Sequence, residues 1–394
     1  MTHPLPSCRR ASLAAVLAAA VLTVLPASAQ TTTTLVGTVT DTAGETLPGV
    51  SVYLSGTTRG VVTDDAGRFR LAGVSPGAYR LVASLVGFTA ETQSVRVNVG
   101  QAEAGPFAFR LAPVDLGEVV VEARGDERFR RRLQTFTRVL VGESENARGT
   151  TIVNPQVLSF SERFGALRAT ATAPLVVENR ALGYRLVYDL HDFESTATRI
   201  KYDGDERFEE LTPADDAEAA RWQVARAMAY RGSLRHLLRA LRTGTAGAEG
   251  FVFRTRRLTP EGQLAEYVGR EVPEARLATP PDSAGFYTVK FDGSAIAVRF
   301  NGEPEVPAYL TSEWFRGGRS LPNEFQESDL LSETVRQTVD PSGNAEDPFG
   351  ISASGYLAFE RLADLVPAEY QLPTSSTRTT VQSRRPPSRG GREQ

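Results

Sequence analysis

Ser233, His236 three residues after it, and His191 are the side chains in this sequence with the strongest claim to chemistry. A hydroxyl becomes a nucleophile when a neighbouring imidazole takes its proton and a third group orients the ring. Ser233 lacks the Gly-x-Ser-x-Gly surround of a nucleophile elbow, and the sequence names no orienting partner. A zinc hydrolase needs two histidines and a glutamate on the metal, with a further carboxylate as base. After His3 the chain has only His191 and His236, and His191 runs into Asp192 and Phe193 on a segment of strand character. Asp64 and Asp65 lack the spacing of a calcium-binding loop and lead at once to Gly67 and Phe69, so they read as a turn. No catalytic residue, metal ligand or cofactor is therefore assigned.

Arginine is the remaining candidate, since Lys201 and Lys290 are the only lysines. Thr212-Pro213-Ala214-Asp215 offers a helix cap, a proline for the first turn and an acid, and Gly244 offers a stop, which predicts one helix of about 30 residues. On a helical wheel Tyr230, Leu234, Leu237 and Leu241 form an apolar stripe. Arg221, Arg231, Arg235, Arg239 and Arg242 gather on another face and are the candidate interaction surface, for phosphates, anionic glycans or a protein. The plainer reading is a helix packed on a sheet with its arginines solvated. A second basic patch, Arg128 and Arg130 to Arg132, carries Phe129, Leu133, Phe136 and Val139-Leu140 at helical spacing, and either contacts an anionic surface or docks by its apolar side.

The elements that position these residues follow an export signal. Arg9 and Arg10, the apolar run Ala11 to Leu25 and the small residues Ala27-Ser28-Ala29 predict a signal peptide over 1–29. Cys8, the only cysteine, stands ahead of that run, so the mature chain has no disulfide and no thiolate ligand. Losing Arg9 and Arg10 leaves 42 basic against 47 acidic residues, a net charge of −5 that argues against general nucleic-acid binding. About 365 mature residues predict more than one core. The tail 374–394, rich in Ser, Thr, Arg, Pro and Gly, predicts disorder.

From Leu35 to Leu111 short alternating segments are broken by Asp41-Thr42-Ala43-Gly44, Asp64-Asp65-Ala66-Gly67 and Pro76-Gly77, the pattern of an antiparallel sandwich. Gly37, Val39, Asp41, Gly44, Leu47-Pro48-Gly49-Val50, Gly56-Thr57, Thr63-Asp64, Gly67, Phe69 and Val86-Gly87-Phe88 resemble the carboxypeptidase-like regulatory domain. The resemblance covers about 80 residues. It implies a transthyretin-like Greek-key sandwich over 33–112, common in Bacteroidetes-type envelope proteins and found ahead of the plug of TonB-dependent receptors. The 113–124 stretch, with Leu116 to Val121, reads as a linker strand that pairs with another chain if it adds to a sheet edge.

Residues 125–373 read as a β-rich α+β region. Pro174–Asn179, Gly183–Leu190 and Thr198–Tyr202 predict an antiparallel sheet with one buried face, followed by β segments at 250–256, 286–292, 295–300 and 306–310. The fold class is thus mainly β, a sandwich followed by a β-rich α+β domain with one long amphipathic helix. The functional expectation is a non-enzymatic binding or interaction protein of the periplasm or outer-membrane periphery, its partner an envelope protein or glycan. Two alternatives stand beside it. One is a carboxypeptidase-related hydrolase. The other is an outer-membrane transport component, although only 270 residues follow Arg124 and a 22-stranded barrel needs roughly 220 in strands alone.

Overall fold

The structure, a computed structural model, describes residues 32–114, 127–196, 200–259, 264–291, 295–315, 317–347 and 349–373. The expected signal segment, the Leu116–Val121 strand and the tail 374–394 lie outside the described residues. The fold is mainly β, with strands outweighing helices.

The first seven strands are β1 (Thr33–Asp41), β2 (Ser51–Leu54), β3 (Gly60–Val62), β4 (Arg68–Val74), β5 (Gly77–Ser84), β6 (Glu91–Val97) and β7 (Glu103–Leu111). They form two sheets, ordered β4-β1-β7 and β3-β2-β5-β6. Alternation along each strand sends Leu35, Val39, Val52, Leu54, Leu81, Val97, Phe109 and Leu111 into one core. The sequence pattern reads as wholly antiparallel, but β1 runs parallel to β7, which closes the first sheet with the last strand. The Asp64 carboxylate accepts the backbone N–H groups of Ala66 and Arg68, 2.9 Å each, and Gly67 supplies a φ of 67°. A Cβ at Gly67 would sit 2.5 Å from the Val39 carbonyl, so this acidic pair is turn chemistry.

Next come α1 (Glu127–Val141), α2 (Glu145–Arg148), β8 (Thr150–Ile152), β9 (Leu158–Arg163), β10 (Ala166–Ala171), β11 (Leu175–Asn179), β12 (Tyr184–Ser195) and β13 (Ile200–Glu210). The strands make one six-stranded sheet in which β12 pairs with both β11 and β13. Helix α1 forms where its 3.6-residue spacing predicts, and its Phe129 and Phe136 meet Phe160 at ring distances of 5.4 and 5.7 Å.

The helix expected over 213–244 is two helices, α3 (Asp216–Tyr230) and α4 (Leu234–Thr243). Capping explains both the start and the break. Asp215, rather than Thr212, caps α3 by accepting the Glu218 N–H at 2.7 Å, and the Glu218 carboxylate accepts the Ala214 N–H at 2.6 Å. Gly232 has a φ of 75° and Ser233 caps α4. The two helices then serve different cores: Ala229 and Tyr230 of α3 pack on the six-stranded sheet, while Leu237, Leu238, Ala240 and Leu241 of α4 pack on the next one.

That next layer holds β14 (Phe251–Leu258), β15 (Leu264–Glu271), α5 (Glu274–Leu277), β16 (Tyr287–Lys290), β17 (Ala295–Phe300), α6 (Pro307–Thr311), β18 (Gln326–Leu331), β19 (Arg336–Val339), β20 (Ser352–Gly355) and α7 (Tyr356–Phe359). Its sheets are ordered β15-β14-β17-β18-β20 and β16-β19. Residues 306–310 alternate as a strand would, yet they form α6, because Pro307 suits the first helical turn and withholds a ladder donor. Among the described residues the strands after α1 divide among three sheets.

Candidate binding cleft at the sandwich junction

The β12–β13 sheet was expected to bury one face. Tyr184, Leu186 and Tyr188 do face its core, but Asp189 on the opposite face is only 8% exposed, because the sandwich covers it. Asp189 and Asp205 sit directly opposite each other across β12 and β13. The Tyr53 hydroxyl donates to Asp189 Oδ2 at 2.5 Å and Ser84 Oγ donates to Oδ1 at 2.8 Å, both reaching over from the sandwich. Thr92 donates to Asp205 Oδ2 at 3.0 Å, His191 Nε2 lies 2.8 Å from the same oxygen, and Arg80 Nη2 lies 2.6 Å from Oδ1.

The two aspartates are shifted in opposite directions. Burial pushes Asp189 up, against the pull of the Tyr53 and Ser84 hydrogen bonds. Burial also acts on Asp205, but the His191 hydrogen bond and the Arg80 charge outweigh it and hold that carboxyl below the usual range. The Asp205 hydrogen bond in turn raises His191, which favours the imidazolium form beside the carboxylate. Backbone hydrogen bonds reinforce the junction: Gly56 N–H donates to the Glu206 carbonyl at 2.7 Å, and Phe208 N–H donates to the Thr57 carbonyl at 2.9 Å.

Beside this clasp lies a cleft of about 550 Å³ where the sandwich, α3–α4 and the C-terminal segment meet. That volume suits a small ligand. Arg80, Arg235, Glu206 and Glu360 bring charge to its wall, and Leu234, Leu238 and Ile351 bring apolar surface. Burial, and next the nearby Asp205 charge, push Glu206 up to about 7. Burial and the neighbouring Asp364 carry Glu360 well above the glutamate range. Near neutral pH Glu206 therefore holds its proton part of the time, and burial favours the protonated form of Glu360 as well; a protonated carboxyl donates as well as accepts.

The five candidate arginines do not form one outer face. Arg221 on α3 is exposed, and Arg231, between the helices, lies 4.0 Å from Glu303. Arg235 and Arg239 turn inward. Arg235 donates to the Val366 carbonyl and, at 3.3 Å, to Asn344 Oδ1. Arg239 donates to the Ser342 carbonyl at 2.8 Å, the Tyr370 carbonyl at 2.6 Å and the Ala368 carbonyl. Arg242 is partly buried against Gly285. The inward pair fastens the 366–370 segment, whose Ala368 N–H donates to the Gly56 carbonyl at 2.8 Å. Sequence reasoning missed this, and it missed Glu206, Glu360 and the Asp189–Asp205 pair. The one local signal for the pair was an aspartate on each of two adjacent strands.

Ser233 and His236 come together without a catalytic geometry. Ser233 Oγ donates to the Tyr230 carbonyl at 2.7 Å and accepts the His236 backbone N–H at 3.2 Å. The His236 ring is buried; its Nδ1 accepts the Gly232 N–H at 3.0 Å and its Nε2 meets Glu249 at 2.7 Å. Burial lowers its pKa, so a neutral ring staples the helix break. His191 and Glu194 have a His-x-x-Glu spacing, but on a strand that spacing points to opposite faces, and Glu194 pairs with Arg168 at 2.6 Å. Among the described residues no group of three or more His, Cys, Asp or Glu is placed to hold a metal ion.

Residues 34–112 match the family described as the carboxypeptidase regulatory-like domain, so the sandwich is that domain. No curated protein matches the chain. Two solved cohesin–X-dockerin complexes of Acetivibrio cellulolyticus, both interface mutants, are similar to part of it. The first is 21% identical over 21% of this chain and 59% of that one, with a TM-score of 0.19. The second is 17% identical over 29% of this chain and 79% of that one, also at 0.19. A Bacteroides uniformis protein described as carbohydrate binding is 9% identical over 45% of this chain and 79% of that one, with a TM-score of 0.16. The chain thus spans less than two thirds of the first, and scores this low carry no inference about ligand or partner.

Proposed function

We propose that this protein is a non-enzymatic, exported binding protein of the cell envelope whose junction cleft takes a hydroxyl-rich ligand, an envelope glycan. The observation that supports this most is the wall of the cleft, where guanidinium and carboxyl groups share the lining with aliphatic side chains. A sugar presents adjacent hydroxyls that both donate and accept, which suits carboxyls that can hold a proton. Its C–H faces suit Leu234, Leu238 and Ile351. The hydrolase alternative draws no support from Ser233, whose hydroxyl faces a carbonyl and not the His236 ring.

Calorimetric titration of the mature protein with oligosaccharides released from envelope polymers tests the proposal. Ser94 lines the cleft and is exposed, so Ser94→Trp fills the space without removing a charged group. Saturable binding by the parent chain, lost in Ser94→Trp with the fold intact by circular dichroism, is the expected result. No oligosaccharide binding, or binding unchanged by Ser94→Trp, overturns it. Export is tested separately by fractionating native cells; cytoplasmic recovery of the full-length chain sinks that part.

A further inference from the structure

The β9–β10 hairpin carries the one strained non-glycine backbone position among the described residues. Its register runs unbroken from Leu158 opposite Ala171 to Arg163 opposite Ala166, leaving Phe164 and Gly165 as a two-residue loop. Both have positive φ, 53° and 75°, the type I′ pattern. That turn favours Asn-Gly, because a bulky side chain at positive φ crowds its own backbone. Phe164 is also 92% exposed, so packing does not compensate for the strain. A bulky apolar residue held strained and in water is selected by something outside the fold.

The surroundings point to the occupant. β9 is the edge strand, so the tip stands at the margin of the sheet. The Arg163 guanidinium lies 5.0 Å over the Phe164 ring. The N-terminal half of α1 runs alongside, through Phe129 against Phe160 and Arg132 3.6 Å from Glu162. That brings the exposed Arg128, Arg130 and Arg131 to the same end of the molecule. A protein interface would surround an anchoring aromatic with further apolar surface. Here the flanking side chains Glu162 and Arg163 are charged and exposed, which instead matches an aromatic seated at headgroup depth with guanidinium groups on the phosphates.

We propose that Phe164, with Arg163 and the α1 arginines, is an interfacial anchor that docks the protein on an anionic bilayer surface. The proposal does not depend on the junction cleft. Cosedimentation of the mature chain with vesicles of phosphatidylethanolamine and phosphatidylglycerol tests it, with pure phosphatidylcholine vesicles as the neutral comparison. The expected result is binding that needs the anionic lipid, falls with salt and weakens about tenfold in Phe164→Asn. Because asparagine relieves the turn, that variant should melt no lower than the parent, which separates lost docking from lost folding. A parent chain that ignores the anionic vesicles overturns the proposal. So does equal binding by Phe164→Asn, including the case in which that substitution weakens only the capture of a protein partner.

Discussion

Replacing Glu206 by glutamine should make the protein more resistant to alkaline conditions, and the size of the effect follows from where the carboxyl sits. Glu206 titrates at about 7 in the folded chain against 4.5 for an unconstrained glutamate, with burial the largest cause and Asp205 the next. Between those two values the folded chain keeps a proton that the unfolded chain releases. Folded stability is therefore complete below 4.5 and declines as pH rises towards 7. The full difference corresponds to about 3 kcal/mol, reduced to roughly 2 because the cleft admits solvent. Glutamine keeps the shape and one donor but cannot ionise, so it removes this loss. Urea midpoints measured from pH 4 to pH 8 should nearly coincide for parent and Glu206→Gln at the acid end. They should diverge towards pH 8, with the variant the more stable. Parallel midpoints across that range would refute the reasoning, because they would mean that Glu206 ionises as freely in the fold as outside it. The parent itself retains a slope from Glu303, which burial also raises to about 7, so the difference between the two curves is the diagnostic quantity.

Two further substitutions test the junction. Tyr53→Phe removes the donor 2.5 Å from Asp189 Oδ2 and should cost about 1–3 kcal/mol by scanning calorimetry; an unchanged melting temperature would mean that water replaces the hydroxyl. Arg239→Met frees the carbonyls of Ser342, Ala368 and Tyr370 while keeping most of the aliphatic volume, and should open the 366–373 segment to limited proteolysis well before the rest of the chain is cut. Cleavage at the parent's rate would show that the arginine does not hold the segment.

The sandwich was the most legible part of the chain. Period-two alternation and the Asp-x-x-Gly turns are local signals, and each strand's inner face follows from them. The six-stranded sheet was legible for the same reason along Tyr184 to Leu190. The helix over 213–244 misled because α3 and α4 bury residues at one continuous helical spacing while facing two cores, so a wheel merges them. Gly232-Ser233 was the available signal, a glycine at positive φ followed by a capping hydroxyl. The inward arginines were not legible at all. Their partners Val366, Ala368 and Tyr370 lie some 130 residues away and are backbone carbonyls, which no pattern of residue types announces. The cleft was hidden for a related reason: its wall is drawn from the sandwich, both helices and the C-terminal segment, and no one stretch of sequence contains it.

The buried polar junction explains why the cleft can have a fixed shape. Apolar side chains across the β12–β13 outer face would hold the sandwich there with less desolvation, since taking Asp189 and Asp205 out of water is costly even when they are paired. What the aspartates supply is direction. From the sandwich, Tyr53 and Ser84 reach Asp189 while Thr92 and Arg80 reach Asp205, and these four bonds together favour a single register of sandwich against sheet; His191, on β12 of the same sheet, orients Asp205 from within. The backbone bonds from Gly56 to Glu206 and from Phe208 to Thr57 then lock that register along the strand direction. Glu206, the next residue, alternates to the other face of β13 and lines the cleft together with Arg235 and Glu360. On this account a sandwich expressed alone would keep its core but present Ser55, Arg80 and Ser94 without the opposing wall. The ligand binding proposed for the cleft would thus require the assembled chain and not the carboxypeptidase regulatory-like domain by itself.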